Sequence, residues 1–303
     1  MNPVVLRDRL VAFFDVLGFS ARLQGGSLED LYFEHMNFIT SSSSMAFRRS
    51  VPFPAANPNP RIFAHSSFLF DSVLLVSRPI RHRANVCRFA LGAIKLMMTG
   101  FQSGMPLRGA IGLGSFMAYQ QGRILLSEAI PPLLAAEKAQ EWSGCVILPN
   151  ADHIMLEALF SKEARPSTNL SPSARDPLVL FNVPLKAQVA ATSLRGQRWC
   201  LNWAYGLDNV ALRDGLGKLN SEKRPSTEAF VGFVYGLREA SPMPLGGDDY
   251  MKAITTPTTY LSTMGLKANN DPIVRNDNLI VDYNYRAGNR AWARAMARER
   301  DAP

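Results

Sequence analysis

Cysteine and histidine are scarce in this chain of 303 residues, which holds three of the one and four of the other. Cys87, Cys145 and Cys200 are too scattered for a disulfide framework and include no CxxC pair, so they read as reduced core thiols. His35, His65, His82 and His153 show neither HxxxH nor HExxH spacing, which removes the usual routes to a zinc enzyme. Long apolar runs are missing too. The longest, at residues 91–98 and 130–136, are interrupted by Lys95 or flanked by charge well short of the roughly 20 residues that a membrane span needs. The first ten residues already carry Arg7, Asp8 and Arg9, so no signal or transit peptide is read there. The expectation is a cytoplasmic protein with no membrane partner. No internal repeat is evident.

What is present is apolar content of 47%, enough for a substantial core in one large domain or one domain with an appendage. The formal charge of +8 suits an anionic partner and says nothing about fold. Arg286, Arg290, Arg294 and Arg298 recur every fourth residue and would line one stripe of a C-terminal helix. That stripe reads as a solvated basic face. Nucleic acid is not the expected partner, since only Tyr283, Tyr285 and Trp292 are interleaved as stacking aromatics; the rival reading is a non-catalytic domain that binds nucleotide or nucleic acid with this helix as its contact.

Residues 9–19 (RLVAFFDVLGF) alternate and are rich in β-formers, which predicts a strand ending at Gly18. Helical spacing follows over 28–47, then a serine run and an extended, proline-rich linker at 51–60. Residues 61–77 read as two short strands around 65–67, the second a buried run broken by Asp71 and Ser72. A helix over 85–101, a strand over 107–116, a pairing strand near 122–126, a short helix over 133–142 after Pro131 and Pro132, and a strand at 145–148 complete the first 150 residues. The order β, α, β, β, α, β, β, α, β is an α+β plan with a mostly antiparallel sheet backed by helices, like a ferredoxin-like palm. Residues 151–303 read as elaboration of the same domain: a polar loop, strand-like pieces at 178–181 and 199–203, and helices near 229–240, at 250–264 and at the basic C-terminus.

Two aspartates stand out. Alternation puts Asp15 on a face shared with Val11 and Phe13, and Asp71 among Leu69, Val73 and Leu75. An ionised carboxylate in such company must be paired or well hydrogen-bonded, or it costs several kcal/mol by order of magnitude. Either one alone reads equally well as a carboxylate capping a turn through backbone N–H groups. Two on neighbouring strands would repel each other unless a divalent metal sat between them, and Mg²⁺ or Mn²⁺ is the natural choice. Gly18 follows Asp15 closely enough for the amides of that turn to hold a triphosphate.

Phe14-Asp15-Val16-Leu17-Gly18-Phe19 resembles the first metal motif of class III nucleotide cyclases, and DVLGF is similar to that of the pyrimidine cyclases of bacterial Pycsar antiphage systems. Phe70-Asp71-Ser72-Val73 is similar to the second motif, with Phe70 where a serine is expected, and Arg108-Gly109-Ala110-Ile111-Gly112 is similar to the RGGI strand. The resemblance implies a catalytic core in residues 1–150. It also implies a homodimer with active sites at the interface, and conversion of UTP, or alternatively CTP, to a 3′,5′-cyclic monophosphate sensed by a separate effector. By the same resemblance, Asp15, Asp71 and the carbonyl of Val16 would bind two divalent cations, Mn²⁺ or Mg²⁺. Phe14, Val16, Leu17, Gly18, Phe19 and Arg108 would contact the nucleotide. The family's Asn and Arg on the helix after the fifth strand have no counterpart in 130–142. Arg123 and Lys138, with Arg108, are therefore the expected cations for transition-state charge. Glu137 reads as a helix-surface or salt-bridge residue.

Overall fold

The computed structural model describes residues 4–42, 62–69, 71–119, 124–159, 177–187, 194–207 and 209–240. Its first strand, β1 (Val4–Val16), is built from the Val- and Phe-rich opening and leads through Gly18 into two helices, α1 (Phe19–Gly25) and α2 (Leu28–Ser42). Strands β2 (Phe63–Leu69) and β3 (Ser72–Ser77) form an antiparallel hairpin, followed by α3 (Arg83–Gln102), which is buried along most of its length. Next come β4 (Leu107–Tyr119), β5 (Ile124–Ser127), α4 (Ile130–Ala139), β6 (Cys145–Ile147) and α5 (Pro149–Leu159). After residue 176 the described elements are β7 (Leu178–Asn182), β8 (Gln197–Leu201), α6 (Asn209–Lys218) and α7 (Arg224–Ala240).

The strands make one eight-stranded sheet in the order β2-β3-β1-β4-β6-β8-β7, with β5 pairing β4 outside this path. Every pairing is antiparallel except β4 with β6. The first four strands of that path, with a helical crossover after β1 and another after β3, have the split β-α-β connectivity of a ferredoxin-like fold. The α+β plan expected from the sequence is therefore the one observed. A bulge in β1 between Leu6 and Arg9 places Asp8 at φ 51, a conformation that Asp tolerates better than most residues.

Helices cover both faces where the site lies. Phe38 of α2 and Leu107 of β4 both approach Gly100 of α3, which puts α2 and α3 against the face that carries Phe14. Helix α4 lies against the other face, where Glu137 receives hydrogen bonds from Arg108. Rings from distant parts of the chain interlock. Trp142 meets Phe181 at 5.3 Å and Phe230 at 4.7 Å, and Phe101 meets Trp203 at 4.6 Å, so residues after 176 share the core of those before 150.

Several expectations need correction. The break in residues 61–77 falls at 70–71, because residues 65–67 pair continuously with β3. The fourth helix ends at Ala139, where Gln140 turns to extended geometry and bridges to Leu185. Helices α5 and α6 were not legible as helices. The segments at 43–61, 160–176 and 241–303 lie outside the described residues, and with them the proline linker, the helix at 250–264 and the basic C-terminal stripe. No helix among the described residues is long and apolar enough to cross a membrane.

Candidate active site

Asp15 is the second-to-last residue of β1, and its cross-strand partners are Ser72 on β3 and Arg108 on β4. Strand alternation sends Leu10, Ala12, Phe14 and Val16 into one face and turns Asp15 to the other, with Val11 and Phe13. Its side chain keeps 25% exposure. Asp71 does not sit inside a strand. It occupies the connection between β2 and β3, where the Val16 amide donates to its carbonyl at 2.8 Å and the Ser72 hydroxyl donates to its carboxylate at 3.3 Å. The hairpin thus carries Asp71 to the end of β1, beside Asp15.

Behind Asp15 stands a buried charged network. Arg108 Nε donates to Glu137 Oε1 at 2.6 Å, Nη2 contacts the same oxygen, and Nη1 donates to the Gln140 carbonyl at 3.0 Å. Its Nη2 lies 3.5 Å from Asp15 Oδ2. Glu137 is 3% exposed and Arg108 7%, so their pairing is strongly held in a medium of low dielectric. Arg108 therefore forms the wall behind Asp15 with its donors already engaged. Glu137 takes the salt-bridge role.

The local charge balance is negative. Asp15, Asp71 and Glu137 bring three carboxylates against two cations, the Arg108 guanidinium and the Lys186 ammonium, an excess of one negative charge when all are ionised. Burial first, then Glu137 and Asp71, pushes Asp15 up from its ordinary 3.8 to about 7, against the opposing pull of Arg108 and Lys186. Among the described residues there is no ready-made cluster of three or more His, Cys, Asp or Glu for a metal. The donors on hand are two aspartates with backbone and solvent oxygens. Hard oxygen donors with excess negative charge fit Mg²⁺ or Mn²⁺, which keep several of their waters when bound.

Of the other expected residues, Phe14 is fully buried, Val16 is 2% exposed and Leu17 8%. Their side chains belong to the core, which leaves only their backbone for a ligand. Gly18 is exposed and left-handed at φ 78, and Phe19 packs edge-on against His35 at 5.5 Å. Lys138 is exposed in the last turn of α4, while its neighbour Glu137 turns inward. Arg123 lies outside the described residues.

One residue at the site escaped the sequence reading. Lys186 follows β7, and its amide donates to the Ala139 carbonyl at 2.9 Å, just after Glu141 has bonded to Pro184 over the same distance. This short strap along the end of α4 brings the ammonium of Lys186 within electrostatic reach of Asp15, Arg108 and Glu137. Nothing local marks Lys186, because its place depends on a contact between segments about 45 residues apart.

No protein-family model matches this chain, and no curated protein does. Among solved structures it is similar to the adenylyl cyclase CyaB from P. aeruginosa, at 12% identity over 66% of this chain and 96% of that one, with a TM-score of 0.42. It is similar also to the guanylate cyclase domain of RhGC from Catenaria anguillulae in complex with GTP, at 16% identity over 65% of this chain and 97% of that one, with a TM-score of 0.39. A third likeness is to the dimeric guanylyl cyclase domain of the RhoGC fusion protein from Blastocladiella emersonii, at 13% identity over 66% and 97%, also with a TM-score of 0.39.

Proposed function

We propose that this protein is a pyrimidine nucleotide cyclase that converts UTP to 3′,5′-cyclic UMP and pyrophosphate, with CTP as the alternative substrate. The observation that carries the reading is the joining of Asp15 and Asp71 at the end of β1, beside a buried Arg108 already neutralised by Glu137. That arrangement leaves negative charge in search of a cation. The pyrimidine base rests on the likeness of residues 14–19 to the Pycsar cyclases.

In the proposed reaction the ribose 3′-oxygen forms a bond to the α-phosphorus, the bond to the β-phosphate oxygen breaks, pyrophosphate departs, and the hydroxyl proton passes to solvent. Two divalent cations held by Asp15, Asp71 and the Val16 carbonyl would supply the positive charge that the 3′-oxygen and the triphosphate need. The chain's own part is placement and electrostatics. Asp15 is held in the sheet on both sides, and Asp71 is held through its backbone. Backbone amides at the Gly18 turn are proposed donors to phosphate oxygens. Lys186 is proposed to join Arg123 and Lys138 in the role expected of them from sequence, that of a cation facing developing phosphate charge. The proposal includes a homodimer with active sites at the interface and a separate effector that senses the cyclic product in antiphage defence.

The test is direct. Purified protein is incubated with each of the four NTPs and Mn²⁺, and products are resolved by chromatography and mass. Cyclic UMP or cyclic CMP as the main product supports the reading. Cyclisation of ATP or GTP alone removes the pyrimidine preference, and absence of any cyclic product removes the cyclase.

A further inference from the structure

We propose that Glu137 is a positioning residue that holds Arg108 off Asp15 and so keeps the Asp15 carboxylate open to a divalent cation; this rests on the metal reading above.

Asp15 and Arg108 are direct cross-strand partners on adjacent strands. Opposite charges so placed have side chains within reach of each other and would ordinarily close into a tight, two-pronged pair. Here they do not. The guanidinium is turned onto Glu137, where Nε donates at 2.6 Å, and it approaches Asp15 through Nη2 alone at 3.5 Å. A fully formed Arg108–Asp15 pair would neutralise Asp15 and occupy the oxygens that a metal would need.

The competition is arranged so that Glu137 wins. Arg108 Nη1 is also held by the Gln140 carbonyl at 3.0 Å. Gln140 itself is fixed, since its side-chain amide donates to the carbonyls of Gly109 at 2.9 Å and Ala136 at 3.0 Å, and Trp142 Nε1 donates to its Oε1 at 2.9 Å. The last turn of α4 is thereby bolted to β4, and Glu137, with 3% exposure, has no solvent into which to withdraw. Glu137 touches neither substrate nor metal in this scheme; it acts by holding Arg108, beside the direct effect of its own charge on Asp15.

The test measures Mn²⁺ binding by calorimetry on wild type, Asp15→Asn, Glu137→Leu and the double variant Arg108→Met/Glu137→Leu, with no nucleotide present. Glu137→Leu is expected to weaken Mn²⁺ at least tenfold as Arg108 closes onto Asp15. The double variant, which replaces a buried ion pair by apolar groups of similar size, is expected to return to within about threefold of wild type. A merely structural pair would not show this recovery. If Glu137→Leu does not fold, Glu137→Gln, which keeps the size and removes the charge, takes its place: weakened Mn²⁺ binding that the double variant recovers supports the proposal, and affinity unchanged in Glu137→Gln overturns it. Wild-type binding with Glu137→Leu unchanged overturns this proposal alone. Absence of Mn²⁺ binding by wild type, or its persistence in Asp15→Asn, overturns the metal reading and this inference together.

Discussion

The amide of Val16 donates to the carbonyl of Asp71 across 2.8 Å, so the residue after one aspartate is fastened to the backbone of the other. The backbones that carry the two carboxylates are thus fastened to each other by main chain. Asp15 is further held between Ser72 and Arg108 in the sheet, while Asp71 sits at a connection where its carboxylate can remain partly hydrated. Such an arrangement tolerates strong mutual repulsion without moving apart, and its energetics should respond sharply to charge removal.

Asp15→Asn should separate function from stability. Turnover and Mn²⁺ binding are expected to fall by at least a hundredfold, yet the metal-free protein should melt at a higher temperature than wild type. The folded state holds the Asp15 pKa at about 7 against an ordinary 3.8, so its ionisation works against folding. That penalty is absent below pH 3.8, grows as pH rises to 7 and then levels off at about 4 kcal/mol at most. Thermal melts of both proteins at pH 5 and pH 8, with and without Mn²⁺, check the pattern: the variant's advantage should be larger at pH 8 and should shrink when Mn²⁺ is added.

Lys186→Ala should leave the melting temperature nearly unchanged, because the side chain is half-exposed and the strap is held by its backbone. The triphosphate should bind several-fold more weakly and turn over at least tenfold more slowly. Steady-state kinetics against UTP and CTP would show this, and unaltered kinetics would remove Lys186 from the site.

Gly18→Ala tests the turn. A Cβ there meets nothing within 4 Å, so its effect comes only from φ 78, at about 1 kcal/mol of backbone strain. Nucleotide affinity should drop along with stability, and Gly18→Asn, which tolerates the left-handed region better, should recover much of both.

Gly109→Ala acts through packing. Its Cβ would run into the Phe14 ring and come within 2.5 Å of the Phe13 carbonyl. Overpacking of this kind costs about 1–3 kcal/mol and should shift β1 at the strand positions just before Asp15. A urea titration measures the loss, and Phe14→Leu in the same chain should relieve part of it.

His65 should govern acid sensitivity. It is 2% exposed, its ring lies 5.1 Å from that of Phe116, and burial lowers its pKa from 6.5 to about 4. The neutral imidazole is compatible with the fold, whereas the unfolded chain takes up a proton near pH 6.5. Stability is therefore full above that pH and is lost as pH falls toward 4, by roughly 3 kcal/mol in all. His65→Phe should flatten the dependence, as urea midpoints at pH 7 and pH 4.5 would reveal.

Much of the architecture was legible because it rests on local pattern. The alternation of residues 9–16, the apolar helix around 85–101, the glycine-rich strand from 107 and the paired prolines at 131–132 each declare an element, and their order alone suggests the ferredoxin-like plan. Where the pattern is ambiguous the reading slipped. Residues 65–67 look like a break because His and Ser are polar, but sheet pairing carries the strand through them and moves the turn to Asp71. Helices α5 and α6 pack against α3 and fall in stretches where the sequence alone declares no element.

At the candidate site, local chemistry singled out Asp15 and Asp71, since an isolated carboxylate beside Val, Leu and Phe is conspicuous in one dimension. The partners of Arg108 were not visible there. Its strand position suggested a free cation, but Glu137 comes from α4 and Gln140 is the residue that ends it, 29 and 32 residues away, and Lys186 comes from a strap still more distant. Alternation and burial are properties of neighbours along the chain and can be read from it. Charge pairing depends on which side chains meet in space, so the wall behind Asp15 and the cation beside it were decided only by the tertiary structure.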